Sequence, residues 1–159
     1  MKGQACKMPV SAILAAATFA LCAPGPRNTC VVDGDTFWLQ GEKVRIADIN
    51  APETHGAACA SELAQGEAAA RRLIALLNAG PFQLTPVERD RDRYGRLLRR
   101  VERGGRSIGG QLVAEGLAET WKGRRSSWCP GDQARSDLDR SGQLTMAQAW
   151  LHHRSRYAE

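Results

Sequence analysis

Val32-Asp33-Gly34-Asp35-Thr36, followed by Arg45-Ile46-Ala47-Asp48-Ile49-Asn50-Ala51-Pro52-Glu53, is the stretch on which the reading of this chain turns. Short β-type runs at 30–32 and 36–39 flank the Asp33-Gly34-Asp35 turn, and Gln40-Gly41-Glu42-Lys43 reads as a second turn. From Val44 to Ile49 apolar and polar residues alternate, with Val44, Ile46 and, after a shift, Ile49 as candidates for a core. Pro52 cannot donate to a ladder and ends the strand, which leaves Glu53 at its mouth. An antiparallel meander follows from these signals.

Outward from the meander, Thr54 to Ser61 reads as a loop and Glu62 to Asn78 as an alanine-rich helix carrying Leu63, Leu73, Ile74 and Leu77. Gly80-Pro81 stops it. Phe82, Leu84 and Val87 begin more β structure, and Leu97 to Val101 reads as a further strand with Glu102-Arg103-Gly104-Gly105 as its turn. Ile108 to Ala114 is a short helix that Gly116 closes, and Leu117 to Trp121 returns to the sheet. The expected class is α+β: a small five-stranded Greek-key barrel of the oligonucleotide-binding type with two to three helices.

The 159 residues suffice for one domain with a core. Lys2, Lys7 and the uncharged run Val10 to Leu21 read as an export signal, with Leu21-Cys22-Ala23 as its cleavage site. The expected organisation is therefore a signal at 1–23, a linker at 24–29, a domain at 30–129, and a polar, partly helical tail at 130–159. The expected location is the periplasm or the medium, without membrane attachment once the signal is gone. Cys6 and Cys22 leave with that signal, so Cys30, Cys59 and Cys129 remain, of which an oxidising compartment pairs two. Cys59 with Cys129 is the favoured pair, both being in loop-like stretches. No spacing of cysteines matches a zinc site.

Removal of Lys2 and Lys7 lowers the formal charge from +5 to +3. Its distribution is uneven. Between Arg89 and Arg106 eight arginines face only Asp90, Asp92 and Glu102. Such a stretch suits a polyanion, although a solvated hairpin has the same composition.

Asp33 and Asp35 put two hard oxygen donors on one turn, the kind calcium takes, although Asp-Gly turns are common in plain hairpins. An arginine within a strand, as Arg45 is, needs an anionic partner or a cleft, and its fork matches a phosphate. Tyr94-Gly95 can swing Arg96 toward the same place. Glu53 can take a proton from water. Singly, each has an ordinary surface role as its alternative; the combination carries the signal.

These residues, with Pro52-Glu53-Thr54 and Asp92-Arg93-Tyr94-Gly95-Arg96, resemble the thermonuclease (staphylococcal-nuclease-like) family, over about Cys30 to Trp121. The resemblance implies an oligonucleotide-binding barrel and calcium-dependent hydrolysis of DNA or RNA. It implies catalytic roles for Arg45, Glu53 and Arg96, and places Tyr94 and Arg93 against substrate. It assigns calcium to Asp35, to the position of Asn50 and to the Ala51 carbonyl. Asn50 departs from the family's aspartate: an amide offers an oxygen without its charge, which weakens calcium binding. Asp48 is a nearby substitute only if the strand stays regular. A monomer without a protein partner is expected.

Asp137-Leu138-Asp139-Arg140-Ser141-Gly142 starts like an EF-hand loop, but its twelfth place is Gln148 rather than glutamate, so a polar helix-loop segment is the better reading. His152-His153 reads as a solvated helix end. Two rivals stand beside an exported nuclease: a non-catalytic nucleic-acid-binding barrel, which Asn50 favours, and an exported disulfide-stapled interaction module.

Overall fold

A computed structural model describes residues 17–131. The chain divides into two compact units, Met1–Ser126 and Ser127–Glu159. Of the second unit only 127–131 are described, a bend in which the Cys129 amide donates to Ser127 Oγ at 3.4 Å. The EF-hand-like segment, His152-His153 and most of the expected tail lie outside the described residues.

The first unit opens with the expected meander. Strands β1 (Cys30–Asp33), β2 (Thr36–Leu39) and β3 (Glu42–Ile46) pair antiparallel in sequence order. The turn between β1 and β2 is closed by the Asp35 amide donating to Asp33 Oδ1 at 3.2 Å. Gly34 is needed there for close approach: a Cβ on it would stand 2.6 Å from Ala69 Cβ and 2.7 Å from Ala51 Cβ. Two residues of turn then separate β3 from β4 (Ile49–Asn50). This break explains why Val44, Ile46 and Ile49 all reach the core despite their uneven spacing.

Helix α1 (Ala60–Asn78) starts two residues earlier than expected. Its inward face is Glu62, Gly66, Ala69, Ala70, Leu73, Leu76 and Leu77, a stripe at helical spacing. Leu63 lies off that stripe and is exposed. Small residues at 66, 69 and 70 let the helix sit close to the β1–β2 turn, and the leucines fill the core with Val31, Phe37 and Val101.

Strands β5 (Gln83–Arg91) and β6 (Leu97–Arg103) form an antiparallel hairpin, and β6 lies parallel to β3 with Arg45 opposite Leu98. Strand β7 (Arg106–Ser107) folds back on β6, helix α2 (Ile108–Ala114) follows, and β8 (Glu119–Thr120) pairs with β4. The sheet therefore runs β1-β2-β3-β6-β5, with β7 on β6 and a separate β4–β8 pair. The α+β class, the five-strand path and two helices match expectation. The total of eight strands does not, and no ladder between β1 and β5 closes the path into a barrel among the described residues. No helix there is long and apolar enough to cross a membrane.

The expected boundary at residue 23 falls inside this unit. Phe19 is 2% exposed and meets Phe37 and Phe82 edge-on or tilted, with ring centroids 5.8 and 6.0 Å away. The Val31 amide donates to the Ala20 carbonyl and the Cys22 amide to the Val31 carbonyl, so residues 20–22 lie along the outer edge of β1. Cys22 is disulfide-bonded to Cys30. Cys22, expected to leave with the signal, is thus bonded to Cys30, one of the three cysteines expected to remain. Cys59 and Cys129 are disulfide-bonded as well.

Candidate active site

The β1–β2 turn, the end of β3, the loop after β4 and the β5–β6 turn converge at one end of the first unit. Asp35 is 7% exposed and Arg45 6%, and they meet through Arg45 Nη2 and Asp35 Oδ2 at 3.3 Å. Arg45 Nη1 donates to the carbonyls of Ile46 and Ile49 at 3.0 and 3.2 Å, which fixes the guanidinium plane. One face of that plane stacks on Trp121, 4.8 Å from the ring centroid. The Ala51 amide donates to the same Asp35 oxygen at 3.3 Å, so the loop carrying Ala51 is tied to the aspartate turn.

Arg96 reaches the site from the β5–β6 turn. Asp92 accepts from its backbone amide and its Nε, at 3.0 and 2.7 Å, so the Asp92-to-Arg96 turn aims the guanidinium. Burial works against the charge of Asp92, but the hydrogen bonds and charge of Arg96 outweigh it and hold the carboxyl below its usual range. Arg96 Nη1 donates to Thr36 Oγ1 at 3.4 Å, and Thr36 donates on to Asp35 Oδ1 at 2.7 Å. The two arginines are thus joined through Thr36 and Asp35. Tyr94 is 66% exposed beside them; Arg93 lies over its ring at 4.8 Å and donates to its hydroxyl.

Glu53 sits at the strand mouth as expected, but other residues hold it there. Its backbone amide donates to Glu62 Oε1 at 3.4 Å, while Glu62 Oε2 accepts from the Ala58 amide at 2.7 Å. Glu62 is the third residue of α1, the place from which a glutamate reaches back to the preceding turn. Gly66, one turn on, lies so close that a Cβ would stand 2.7 Å from the Glu53 carbonyl oxygen. Glu53 Oε1 pairs with Arg125 Nη1 at 2.5 Å. Burial pushes the Glu53 carboxyl above its usual range; Arg125 opposes this, and Asp35 and Glu62 add to it.

Asp33 carries the largest perturbation. Burial, then the charges of Asp35 and Glu53, push its carboxyl up to about 8. Asp35 and Glu53 are each paired with an arginine, so loss of solvent is the larger part of that shift. The donors nearby, carboxylate and carbonyl oxygens, are of the class calcium takes. The acidic set is small, however: among the described residues no three His, Cys, Asp or Glu group in a metal-binding arrangement. Asn50 is buried on β4, and no carboxylate replaces it. Asp48 turns away: its Oδ2 accepts from Ser107 Oγ at 2.8 Å, and Ser107 caps α2. Asp35, the Asn50 amide and the Ala51 carbonyl offer oxygens of the type a hard cation takes, with a single charge among them.

Arg45 and Arg96 open onto a cleft of about 570 Å³, whose rim adds Arg89, Arg93 and Arg125, with Tyr94 and Trp121 as aromatic walls. Asp92 is the one acid among its described lining residues. The sequence named Arg45, Glu53, Arg96, Asp35, Asn50, Ala51, Tyr94 and Arg93. It missed Arg125, Trp121 and the supporting Glu62 and Gly66. Only Glu62 left a signal, as a glutamate in the first turn of a helix.

A cationic, aromatic-walled cleft has the chemistry to hold a phosphate group. Residues 43–141 match the staphylococcal nuclease homologue family, and the chain belongs to that family, whose fold is of the oligonucleotide-binding type. The match begins beyond Asp35, and the contacts of Asp35 with Arg45 and the Ala51 amide join the aspartate turn to the matched region. Two Bacillus subtilis (strain 168) proteins are similar over 93 residues at 40% identity: Endonuclease YncB and SPbeta prophage-derived endonuclease YokF. The similarity covers 55% of this chain, but 43% of the first and 31% of the second, so the chain spans less than half the length of each.

Proposed function

We propose that this chain is an exported endonuclease that hydrolyses phosphodiester bonds of DNA or RNA with calcium assistance, acting as a monomer. The observation that supports the reading is the linked set Arg45–Asp35–Thr36–Arg96, because both guanidinium groups open onto one cleft, while Glu53 is paired with Arg125 of the cleft rim and lies within electrostatic reach of Asp35 and Arg96. Arg45 and Arg96 grip the phosphate and balance the extra charge of the five-coordinate transition state. Glu53 takes the proton of the attacking water, and its raised pKa moves it toward the range where a general base works well near neutrality. Calcium held by Asp35, the Asn50 amide oxygen and the Ala51 carbonyl would supply Lewis-acid polarisation of a phosphate oxygen. Tyr94, Arg93 and Trp121 face the nucleotides on either side of the cut, where aromatic faces can stack on bases.

A non-cutting nucleic-acid-binding module is the second reading, and Asn50 favours it. Glu53→Gln separates them. The nuclease reading expects that variant to bind single-stranded DNA as tightly as the parent and to lose at least about a hundredfold in cleavage rate. Full cleavage by the variant would remove Glu53 as the base.

A further inference from the structure

The export part of the proposed function leaves open where the signal ends, and the fold restricts the answer. Between residues 17 and 23 three bonds follow an alanine, the residue a signal peptidase favours before its cut: those after Ala15-Ala16-Ala17, Thr18-Phe19-Ala20 and Leu21-Cys22-Ala23. Only the first gives a cut that spares what residues 18–22 do. Phe19 completes a cluster of three rings with Phe37 and Phe82, the last two 6.3 Å apart. The side chain of Asn78, at the end of α1, clasps the Phe19 backbone from both sides: the Phe19 amide donates to Asn78 Oδ1 at 2.8 Å and Asn78 Nδ2 to the Phe19 carbonyl at 2.9 Å. Residues 20–22 cover the edge of β1, and Cys22 is bonded to Cys30. A cut after Ala20 removes the ring and its clasp. A cut after Ala23 removes the disulfide too.

We infer that the signal ends at Ala17 and that the mature chain begins Thr18-Phe19-Ala20-Leu21-Cys22, which makes residues 18–22 a built-in strap of the nuclease domain. The inference rests on the export reading. A signal peptidase hydrolyses the Ala17–Thr18 bond; water adds across it, leaving a carboxylate on Ala17 and an ammonium on Thr18. Thr18 is exposed, so the new charge stays in water, and the core loses the edge contact of Ala17. Between Lys7 and Ala15 the uncharged residues Met8 to Leu14 supply the apolar stretch such a signal needs. The disulfide then forms where it persists, in the oxidising compartment beyond the membrane.

The test is expression of the full chain in a Gram-negative host, isolation of the periplasmic and secreted product, and N-terminal sequencing with a non-reducing peptide map. The expected result is a Thr-Phe-Ala-Leu-Cys terminus and a peptide joining Cys22 to Cys30. An exported product beginning at Leu21 or Pro24 would overturn the cut site while leaving export standing; one that keeps Met1 and stays in the cytoplasm would overturn both. Ala17→Leu should hold most of the chain as membrane-associated precursor, and an unchanged yield of shorter product from it would also contradict the inference. DNA cleavage by the same material is scored separately, so a failed cut site and a failed nuclease reading are distinguishable.

Discussion

Arg125 and Glu53 meet through a single ion pair, and its removal has a predictable sign. Arg125 is the strongest influence holding the Glu53 carboxyl down, against burial that pushes it up. In Arg125→Ala the pKa of Glu53 rises further, so the acidic limb of the kcat/KM profile should move to higher pH; an unmoved limb would mean that Glu53 does not set it. Asp33 gives the second residue-scale test. With its folded-state pKa raised from 3.8 to about 8, the native state holds a proton that the unfolded chain releases, so stability falls as pH rises through that window. Asp33→Asn keeps an oxygen for the Asp35 amide and removes the charge. In chelator it should gain on the order of 1 kcal/mol or more at pH 9 by urea denaturation, and nothing below pH ~4. Asp33 and Asp35 were legible in the sequence as a pair. Which of them bears the strain was not, because that depends on α1 and Glu53 arriving from elsewhere in the chain.

At the scale of elements, the meander and both helices were legible because their periodic stretches are long enough to report a face. Strand β8 falls within the run at 117–121 that was expected to return to the sheet, but the break that sets β4 apart from β3 was not legible, since a two-residue pairing has no period. The strap at 18–22 was hidden for another reason: an apolar run near an N-terminus has the composition of a signal whether or not its last residues join a core. Asp48 shows the same limit on a smaller scale, because strand alternation fails at the turn after Ile46 and sends its side chain to Ser107. The contact of α1 with the Glu53 loop, likewise unread, is testable. In Gly66→Ala the added methyl meets loop backbone, which cannot rotate out of the way. The variant should lose about 1–3 kcal/mol of stability. It should also lose roughly 10- to 100-fold in kcat as Glu53 shifts, and a variant stable and active as the parent would show that the helix does not position the base.

Over the whole molecule, charge is placed rather than abundant. Along the stretch 89–106 four of the eight arginines are engaged away from the cleft: Arg91 pairs with Glu42, Arg99 with Asp90 and Arg100 with Glu102, while Arg103 donates to carbonyls near the end of α1. Arg89, Arg93 and Arg96 turn to the cleft instead, where Arg45 and Arg125 join them. The stretch thus divides between arginines in surface ion pairs and arginines that open onto the cleft. The same division separates what the sequence could say of the site from what it could not: residues in local motifs were found, whereas Trp121 and Arg125 lie on a segment with no motif and gain meaning only from what they touch. The central claim is that this cleft cuts phosphodiester bonds with a cation that Asn50 leaves weakly held. The direct measurement is cleavage of single-stranded DNA by the full chain across a calcium titration, with a chelator arm. The account predicts no cleavage in chelator and a rate that rises and saturates only at high calcium; cleavage indifferent to chelator, or binding without cleavage at every calcium concentration, would contradict it.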